Sequence, residues 1–164
     1  MRFFLPELWK AVNSSDPRTR EEAGRRWREN DARYAADFRA LSAALPPAVL
    51  NAWERHGGFH DWQIRELRFL DGRKTLRLRL SNGETEGVLI LRGVSRFRLD
   101  VQSFESCLGG RLCWGFGELS RGPSGDWELS VLCDFDNELQ FCFTGLDYRE
   151  RALKNPESGK EQDL

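Results

Sequence analysis

The two histidines of the chain, His56 and His60, lie four residues apart, and Asp61 directly follows the second. On a continuous helix this spacing would place both imidazole rings on one face, as in metal-binding helices. With the Asp61 carboxylate they could form a His–His–carboxylate metal site or the acid–base part of a small hydrolase. His56, His60 and Asp61 are therefore the candidate metal ligands and catalytic groups.

Two glycines between the histidines, Gly57 and Gly58, argue against a continuous helix at this point. The alternative interpretation is structural. His56 would be a cation at a helix C-terminus, and His60 with Asp61 would fix the start of a strand through side-chain hydrogen bonds. No HExxH-like segment supports a metal site. We favour the structural interpretation and predict no metal ion and no cofactor.

The four cysteines, Cys107, Cys113, Cys133 and Cys142, include no close CxxC pair of the kind that binds zinc. Cys133 shares its parity with the apolar residues of a predicted strand, so we expect it to point into the core, where a thiol behaves as a small apolar group. A Cys–His nucleophile stays open as an alternative, because its two partners need to meet only in space.

Glycine-rich signatures of nucleotide binding, GxGxxG and the Walker loop, are absent from the sequence, and so is the GxSxG turn of serine hydrolases. Gly115 and Gly117 of the segment WGFGEL lie inside a strand pattern. Glycines in a strand indicate a bulge or the close approach of another element. We therefore expect another part of the chain to pack closely here.

Arginines are concentrated in the first four predicted strands, whereas acidic residues are concentrated in the last three. A sheet face that carries several arginines binds carboxylates or phosphates. The candidate binding surface consists of Arg77, Arg79, Arg96, Arg98, Trp114 and Phe116. The alternative, which we favour, is that the arginines face outward in cross-strand ion pairs of little energetic weight.

The elements that carry these residues change character near residue 58. Before it, apolar residues recur with a helical period. Pro6 lies in the opening turn of a short first helix, and Asp16 as N-cap with Pro17 at the first helical position predicts a second. Its apolar stripe comprises Ala23, Trp27, Tyr34, Phe38, Leu41 and Leu45. Pro46 and Pro47 end that helix, and a short third helix ends where the two glycines can take a positive φ.

After Phe59 the apolar period is two, which predicts strands. The predicted strands cover residues 62–70, 74–81, 86–93, 95–104, 112–120, 126–135 and 138–145. The segment KTLRLRLS is the clearest, with Leu76, Leu78 and Leu80 on one face and arginines on the other. The sequence therefore predicts an α+β protein, with two or three N-terminal helices packed on an antiparallel β-sandwich or half-barrel of about seven strands.

The predicted organisation is a helical segment over residues 1–58, a β region over 59–148 that shares one core with the helices, and a polar tail over 149–164. A chain of 164 residues is long enough for one such core. The net charge of −1 argues against nucleic-acid binding. Neither a signal peptide nor a run of ~20 apolar residues is visible, so we expect no membrane span and a bacterial cytoplasmic location with reduced thiols.

The opening MRFFLPELWKAVNSSD, the long helix after it and the segment GFHDWQI together resemble a family of small bacterial proteins of unknown function. Its members share an N-terminal helix with Phe, Leu and Trp, and a His-Asp step followed by an apolar residue, here His60, Asp61 and Ile64. The similarity covers most of residues 1–148. A similar His-Asp step occurs in some immunity proteins of bacterial toxin systems, which implies a small, cytosolic, non-enzymatic partner of a toxin. The resemblance assigns no catalytic residue.

We expect a non-enzymatic binding or interaction module whose partner is another protein, with an immunity-type role as its narrower form. Such a module predicts an exposed sheet face or edge that carries arginines and one or two aromatic side chains. One alternative is a small metal-dependent or Cys/His hydrolase that uses His56, His60 and Asp61. The other is a β-sandwich that binds a small ligand between a helix and the sheet through Trp114 and Phe116.

Overall fold

The structure is a computed structural model, and it describes residues 1–100, 112–134 and 137–153. Three helices come first along the chain, and an eight-stranded antiparallel sheet follows them. The α+β class, with N-terminal helices packed on an antiparallel sheet, is therefore confirmed.

The helices are α1 (Pro6–Val12), α2 (Pro17–Ser42) and α3 (Pro47–Arg55), and each begins with a proline in its first turn. The predicted N-cap is confirmed, because Asp16 Oδ2 accepts a hydrogen bond from the Thr19 amide at 2.9 Å. Leu45, which was predicted to continue the stripe of α2, lies beyond the helix end but is still buried. Gly57 and Gly58 have φ values of 54° and 67°, as predicted for the end of α3.

Eight strands follow a 3-10 turn at Gly57–Phe59: β1 (Trp62–Leu70), β2 (Thr75–Ser81), β3 (Thr85–Arg92), β4 (Arg96–Asp100), β5 (Cys113–Arg121), β6 (Trp127–Cys133), β7 (Glu138–Phe143) and β8 (Gly145–Ala152). A second 3-10 turn, Asp71–Arg73, joins β1 to β2. The first seven correspond to the seven predicted strands. Residues 101–104 and 135, which the prediction also placed in strands, lie outside the described residues.

The eighth strand was not predicted, and the predicted start of a polar tail at residue 149 is wrong. Only Thr144 separates β7 from β8, and β8 continues to Ala152, paired with β3 along its whole length. Its buried apolar side chains are Leu146 and Tyr148, while its last four residues are exposed. Such a half-exposed edge strand has the same composition as a tail, so the local pattern does not reveal it.

The strands lie in the order β4-β7-β6-β5-β1-β2-β3-β8, with every neighbouring pair antiparallel. Three strands separate β1 from β4 in this order, yet the rings of Phe69 and Phe97 are 5.3 Å apart. The chain crosses between the two halves of the sheet at one corner, where the Ser95 amide donates to the Cys142 carbonyl and the Thr144 amide to the Arg92 carbonyl, both at 2.9 Å. The strands therefore form one strongly curled sheet, as in the half-barrel form of the prediction.

The main core lies on the inner face of the curled sheet. Leu76, Leu78 and Leu80 of β2 are completely buried, which confirms the alternation predicted for KTLRLRLS. Helix α3 contributes Val49, Ala52 and Trp53 to the same cluster. The short third helix is thus part of the sheet's own core.

A second apolar cluster, formed mainly by Phe3, Phe4 and Tyr34, packs the N-terminal segment and α2 against β5. The Glu118 carboxylate anchors the segment, because it accepts the backbone amides of Arg2, Phe3 and Phe4 at 2.7, 2.7 and 2.6 Å. Glu118 is itself buried, so these three hydrogen bonds replace its hydration.

Helix α2 also covers one edge of β5. Strand β1 pairs with β5 only at Trp114 and Cys113, so the rest of that edge has no strand beside it among the described residues. The hydroxyl of Tyr34 accepts the Leu119 amide there at 3.0 Å. Helix α2 therefore lies beside the part of the β5 edge with which β1 does not pair.

Candidate functional site

His56 is part of a polar cluster between α3 and β8. Its Nε2 lies 3.0 Å from Glu150 Oε2, and the Tyr148 hydroxyl donates to the same oxygen at 3.0 Å. Arg55 forms an ion pair with the other oxygen of Glu150. The hydrogen bond from His56 is the largest of the effects that hold the pKa of Glu150 below its ordinary value. The cluster fastens the C-terminus of α3 to the sheet.

His60 and Asp61 form a separate pair at the start of β1. His60 Nδ1 is 2.9 Å from Asp61 Oδ2, and the His60 ring packs against Phe116 at 4.6 Å. The Asp61 side chain is 85% exposed. Backbone hydrogen bonds hold the strand start, since the Asp61 amide donates to the Trp114 carbonyl and the Ile64 amide to the Leu112 carbonyl, both at 2.8 Å.

The structure therefore gives the two histidines different partners: Glu150 for His56, and Asp61 with Phe116 for His60. Within the described residues no group of three His, Cys, Asp or Glu side chains is arranged to hold a metal ion. Cys107 lies outside the described residues, and Cys133 is buried in the main core, where its parity placed it. A Cys/His hydrolase stays a prediction.

Each of the four arginines of the candidate surface makes an ion pair on the outer side of the sheet. Arg77 pairs with Glu66 at 2.8 Å and Arg79 with Glu86 at 2.6 Å. On the other half of the sheet, Arg96 and Arg98 pair with Glu128 and Asp100, at 3.1 and 2.9 Å. Each of these arginines therefore has an acidic partner within its own half of the sheet.

The two aromatic members of the candidate surface are placed differently from each other. Trp114 is completely buried in the main core, so its assignment to a binding surface is wrong. The reason is that β5 has both faces covered near this point, and the alternation of a strand does not say which faces are covered. Phe116 is half-buried and packs against Phe4, Trp27 and His60.

Strand β4 is an edge strand that exposes apolar side chains. Phe97 and Leu99 are 36% and 44% exposed, and they are the exposed large apolar residues of the described chain. They alternate with Arg96 and Arg98, whose side chains are 68% and 63% exposed. On one side β4 pairs with β7, and on the other no described strand pairs with it. This edge has the composition predicted for an interaction surface.

A cleft of about 520 Å³ lies between α2, the end of α3 and β5. One face of α2 lines it, with Asp31, Tyr34, Ala35, Phe38, Arg39 and Ser42 at helical spacing. The other sides are formed by Trp53 and Glu54 of α3, by His60, and by residues 115–117 of β5. The sequence suggested a ligand position between a helix and the sheet, but it did not identify the helix face.

The glycines of WGFGEL behave as predicted. A Cβ on Gly115 would lie 2.8 Å from the Leu132 carbonyl oxygen, and the register of β5 against β6 shifts between Trp114 and Phe116. A Cβ on Gly117 would lie 2.9 Å from Trp114 Nε1 and 3.0 Å from Trp53 Cη2. The bulge and the close approach of another element are both confirmed, and together they shape the floor of the cleft.

No protein-family model matches the sequence, and no curated protein matches it at a significant level. A crystal structure of an uncharacterised protein from Neisseria gonorrhoeae is similar to 56% of this chain and 92% of that one, with 18% sequence identity and a TM-score of 0.45. A likeness of this extent carries no argument about function. The resemblance to small bacterial proteins and to immunity proteins stays a prediction. None of the helices in the described part of the chain has the length and apolar character needed to cross a membrane.

Proposed function

We propose that the protein is a cytosolic, non-enzymatic binding module that takes an extended segment of another protein along the edge of β4 that faces away from β7, with which no described strand pairs. One observation carries the proposal. The exposed large apolar side chains of the described chain, Phe97 and Leu99, lie on an edge strand and alternate with arginines. An edge strand offers unpaired backbone groups to an incoming strand, while its side chains select the partner's sequence.

The side chains of β4 indicate which sequence pattern the partner segment would have. Neighbouring residues on a strand point to opposite faces, so Phe97 and Leu99 share one face and Arg96 and Arg98 the other. Cross-strand neighbours on one face contact each other directly. The partner segment therefore alternates apolar residues, opposite Phe97 and Leu99, with carboxylates opposite the arginines. The ion pairs that these arginines already make are exposed and weak, so a partner's carboxylates can compete for them.

The direct test uses two synthetic peptides with identical apolar positions, one with Glu and the other with Lys at the alternate positions. Binding is followed by amide chemical shifts of the labelled protein. We expect the acidic peptide to shift the amides of β4 in a saturable way and the basic peptide to have no such effect. Equal binding of both peptides, or binding at another surface, would contradict the proposal.

Two matched variants locate the surface. Leu99→Lys places a charge within the exposed apolar pair, and Ala152→Lys places the same charge on the opposite edge strand, β8, where Ala152 is exposed. Leu99→Lys should abolish binding of the acidic peptide, whereas Ala152→Lys should leave it unchanged. If both variants bind as the unaltered protein does, β4 is not the docking edge.

An immunity-type role is the narrower form of this proposal, in which the partner is a toxin enzyme whose active surface becomes masked. Its readout is neutralisation of a toxin encoded beside this protein. The unaltered chain and Ala152→Lys should protect cells that express the toxin, while Leu99→Lys should fail to protect them. If Leu99→Lys still protects the cells, the toxin does not bind through the β4 edge.

A further inference from the structure

Strand β8 forms the second edge of the sheet. It pairs with β3 on one side, and no described strand pairs with it on the other. The Leu153 amide donates to the Glu84 carbonyl at 2.7 Å, and this pair continues the register of β8 with β3. Because backbone groups alternate in direction along a strand, residues 146, 148 and 150 direct theirs away from β3. These unpaired groups are the ones that a further strand would meet.

Arg149 is an exposed charge on this edge that has no acidic partner. It forms no ion pair with any residue that the structure describes, whereas the charged residues on either side of it on the outer face are both paired. Asp147 pairs with Arg92 and keeps 38% of its side chain exposed. Arg151 pairs with Glu86 at 2.9 Å. A carboxylate from outside the chain would therefore find its cation at Arg149.

A two-fold axis at Tyr148 would supply that carboxylate from a second copy of β8. In this antiparallel register, Asp147 of each copy lies opposite Arg149 of the other, and the two copies of Tyr148 lie opposite each other. The Asp147–Arg149 pair falls between two hydrogen-bonded pairs, where facing Cα atoms are about 4.5 Å apart and the side chains contact. The symmetry repeats this contact, so the interface contains the complementary pair twice.

The neighbouring registers of β8 with itself bring like charges together. An axis at Asp147 or at Arg149 sets that residue against its own copy, and an axis at Glu150 sets two carboxylates against each other. A shift by a single residue reverses the faces, so that the buried Leu146 and Tyr148 would lie beside outer-face residues of the second copy. The register centred on Tyr148 is therefore the one that charge and burial both favour.

Strand β4 does not have this self-complementarity. An axis at Phe97 sets Arg96 against Arg98, and an axis at Arg98 sets that arginine against its own copy. An axis at Leu99 leaves a very short overlap within the described strand, which ends at Asp100. The two edges of the sheet thus differ: β4 fits an acidic segment of another protein, whereas β8 fits a second copy of itself.

We propose that the protein forms a two-fold homodimer through its β8 edges, in the register centred on Tyr148, with Asp147 of each copy paired with Arg149 of the other. Glu150 then faces Leu146 of the second copy. This placement is tolerated because three donors of its own chain already satisfy the Glu150 carboxylate. The β4 edge lies at the other end of the strand order, so the dimer leaves it available.

The test is sedimentation velocity of the unaltered protein and of two charge-reversal variants, from about 1 µM to about 500 µM. Arg149→Asp places four acids at the interface, and Asp147→Arg places four arginines there. Each variant alone should self-associate roughly tenfold or more weakly than the unaltered protein. An equimolar mixture of the two should form dimers again, because the acids of one copy then face the arginines of the other.

Two further variants serve as controls. Arg68→Asp makes the same charge change at an exposed arginine of β1, away from the edge, and should leave self-association unchanged. Arg149→Lys keeps the charge and should retain the dimer. Since Arg149 has no ion pair within the described chain, these changes at position 149 leave the fold intact, and circular dichroism checks this.

Three results would overturn the proposal. One is a monomer over the whole concentration range, and another is a dimer that Arg149→Asp does not weaken. The third is a mixture of Arg149→Asp and Asp147→Arg, both folded, that associates no more strongly than either variant alone. Peptide binding at β4 is measured separately with Leu99→Lys, so the failure of one proposal leaves the other testable.

Discussion

At the scale of single residues, Glu150 has three side-chain partners. Its carboxylate receives His56 and Tyr148 on one oxygen and Arg55 on the other. These donors hold the pKa of Glu150 below its ordinary value, with His56 as the largest cause. A carboxyl group whose pKa is lower in the folded than in the unfolded state stabilises the fold when it is ionised.

We therefore predict that Glu150→Gln lowers the free energy of unfolding by about 1 kcal/mol at pH 7, a modest value because the site is partly exposed to water. The sign of the pH dependence follows from the lowered pKa. The contribution is fully present above the unfolded pKa of about 4.3 and is lost as the pH falls through the folded pKa. Urea unfolding of both proteins at neutral and at acidic pH measures the difference.

The matched control is Glu84→Gln, which removes an exposed carboxylate in the turn between β2 and β3. This change should have little effect on the free energy of unfolding at either pH. A penalty for Glu150→Gln that is the same at neutral and at strongly acidic pH would contradict an ionic role for Glu150.

The local sequence predicts some of these residue contacts but not others. His60 and Asp61 are neighbours in the chain, so their pairing was visible as a side-chain hydrogen bond between adjacent residues. The Gly57-Gly58 pair placed His56 at a helix end, which is confirmed, since His56 is the C-cap of α3. Its partner Glu150 is 94 residues away, and no local period specifies a contact over that separation.

At the scale of elements, the N-terminal segment depends on Glu118 for its attachment to β5. The carboxylate satisfies three consecutive backbone amides, of Arg2, Phe3 and Phe4. Removing the acceptor would leave buried donors without partners, and each such group is costly. The rings of Phe3 and Phe4 then have no fixed backbone from which to pack on Tyr34.

We predict that Glu118→Ala lowers the free energy of unfolding by about 2–3 kcal/mol and releases the segment before the rest of the molecule unfolds. Hydrogen exchange of the Phe3 and Phe4 amides measures the release, and their protection should fall while that of β2 is kept. Glu118→Gln keeps an acceptor oxygen and should retain part of the protection. Unchanged protection in Glu118→Ala would show that apolar contacts alone hold the segment.

Most elements could be predicted from the sequence, and the exceptions share a cause. The prolines at the helix starts and the alternation in β2 are local signals, and both are confirmed. Strand β8 was not predicted, because its second half is exposed and charged and therefore lacks the apolar alternation that marks a strand. Glu118 was visible only as one of several acids in the late strands, since its buried role depends on a segment more than a hundred residues earlier.

At the scale of the whole molecule, two apolar clusters must behave as one unit. The main core fills the curled sheet, and the second cluster joins the N-terminal segment and α2 to β5. Phe38 packs against both clusters, because its ring stacks on Trp53 at 5.8 Å and approaches Tyr34 at 6.0 Å. The cleft between α2, α3 and β5 is lined by these same three residues, so its shape depends on this connection.

We predict that helices and sheet unfold together in one transition and that Phe38→Ala separates them. Far-UV circular dichroism, dominated by the helices, and the amide resonances of β2, which report the main core, should give the same midpoint for the unaltered protein. In Phe38→Ala the helical signal should be lost at a lower temperature than the β2 resonances. Leu50→Ala is the control, since Leu50 packs on the main core alone and its loss should lower both midpoints together. Separate midpoints in the unaltered protein would mean that α1 and α2 form an independent unit, and the α2 wall of the cleft would then be mobile relative to its β5 floor.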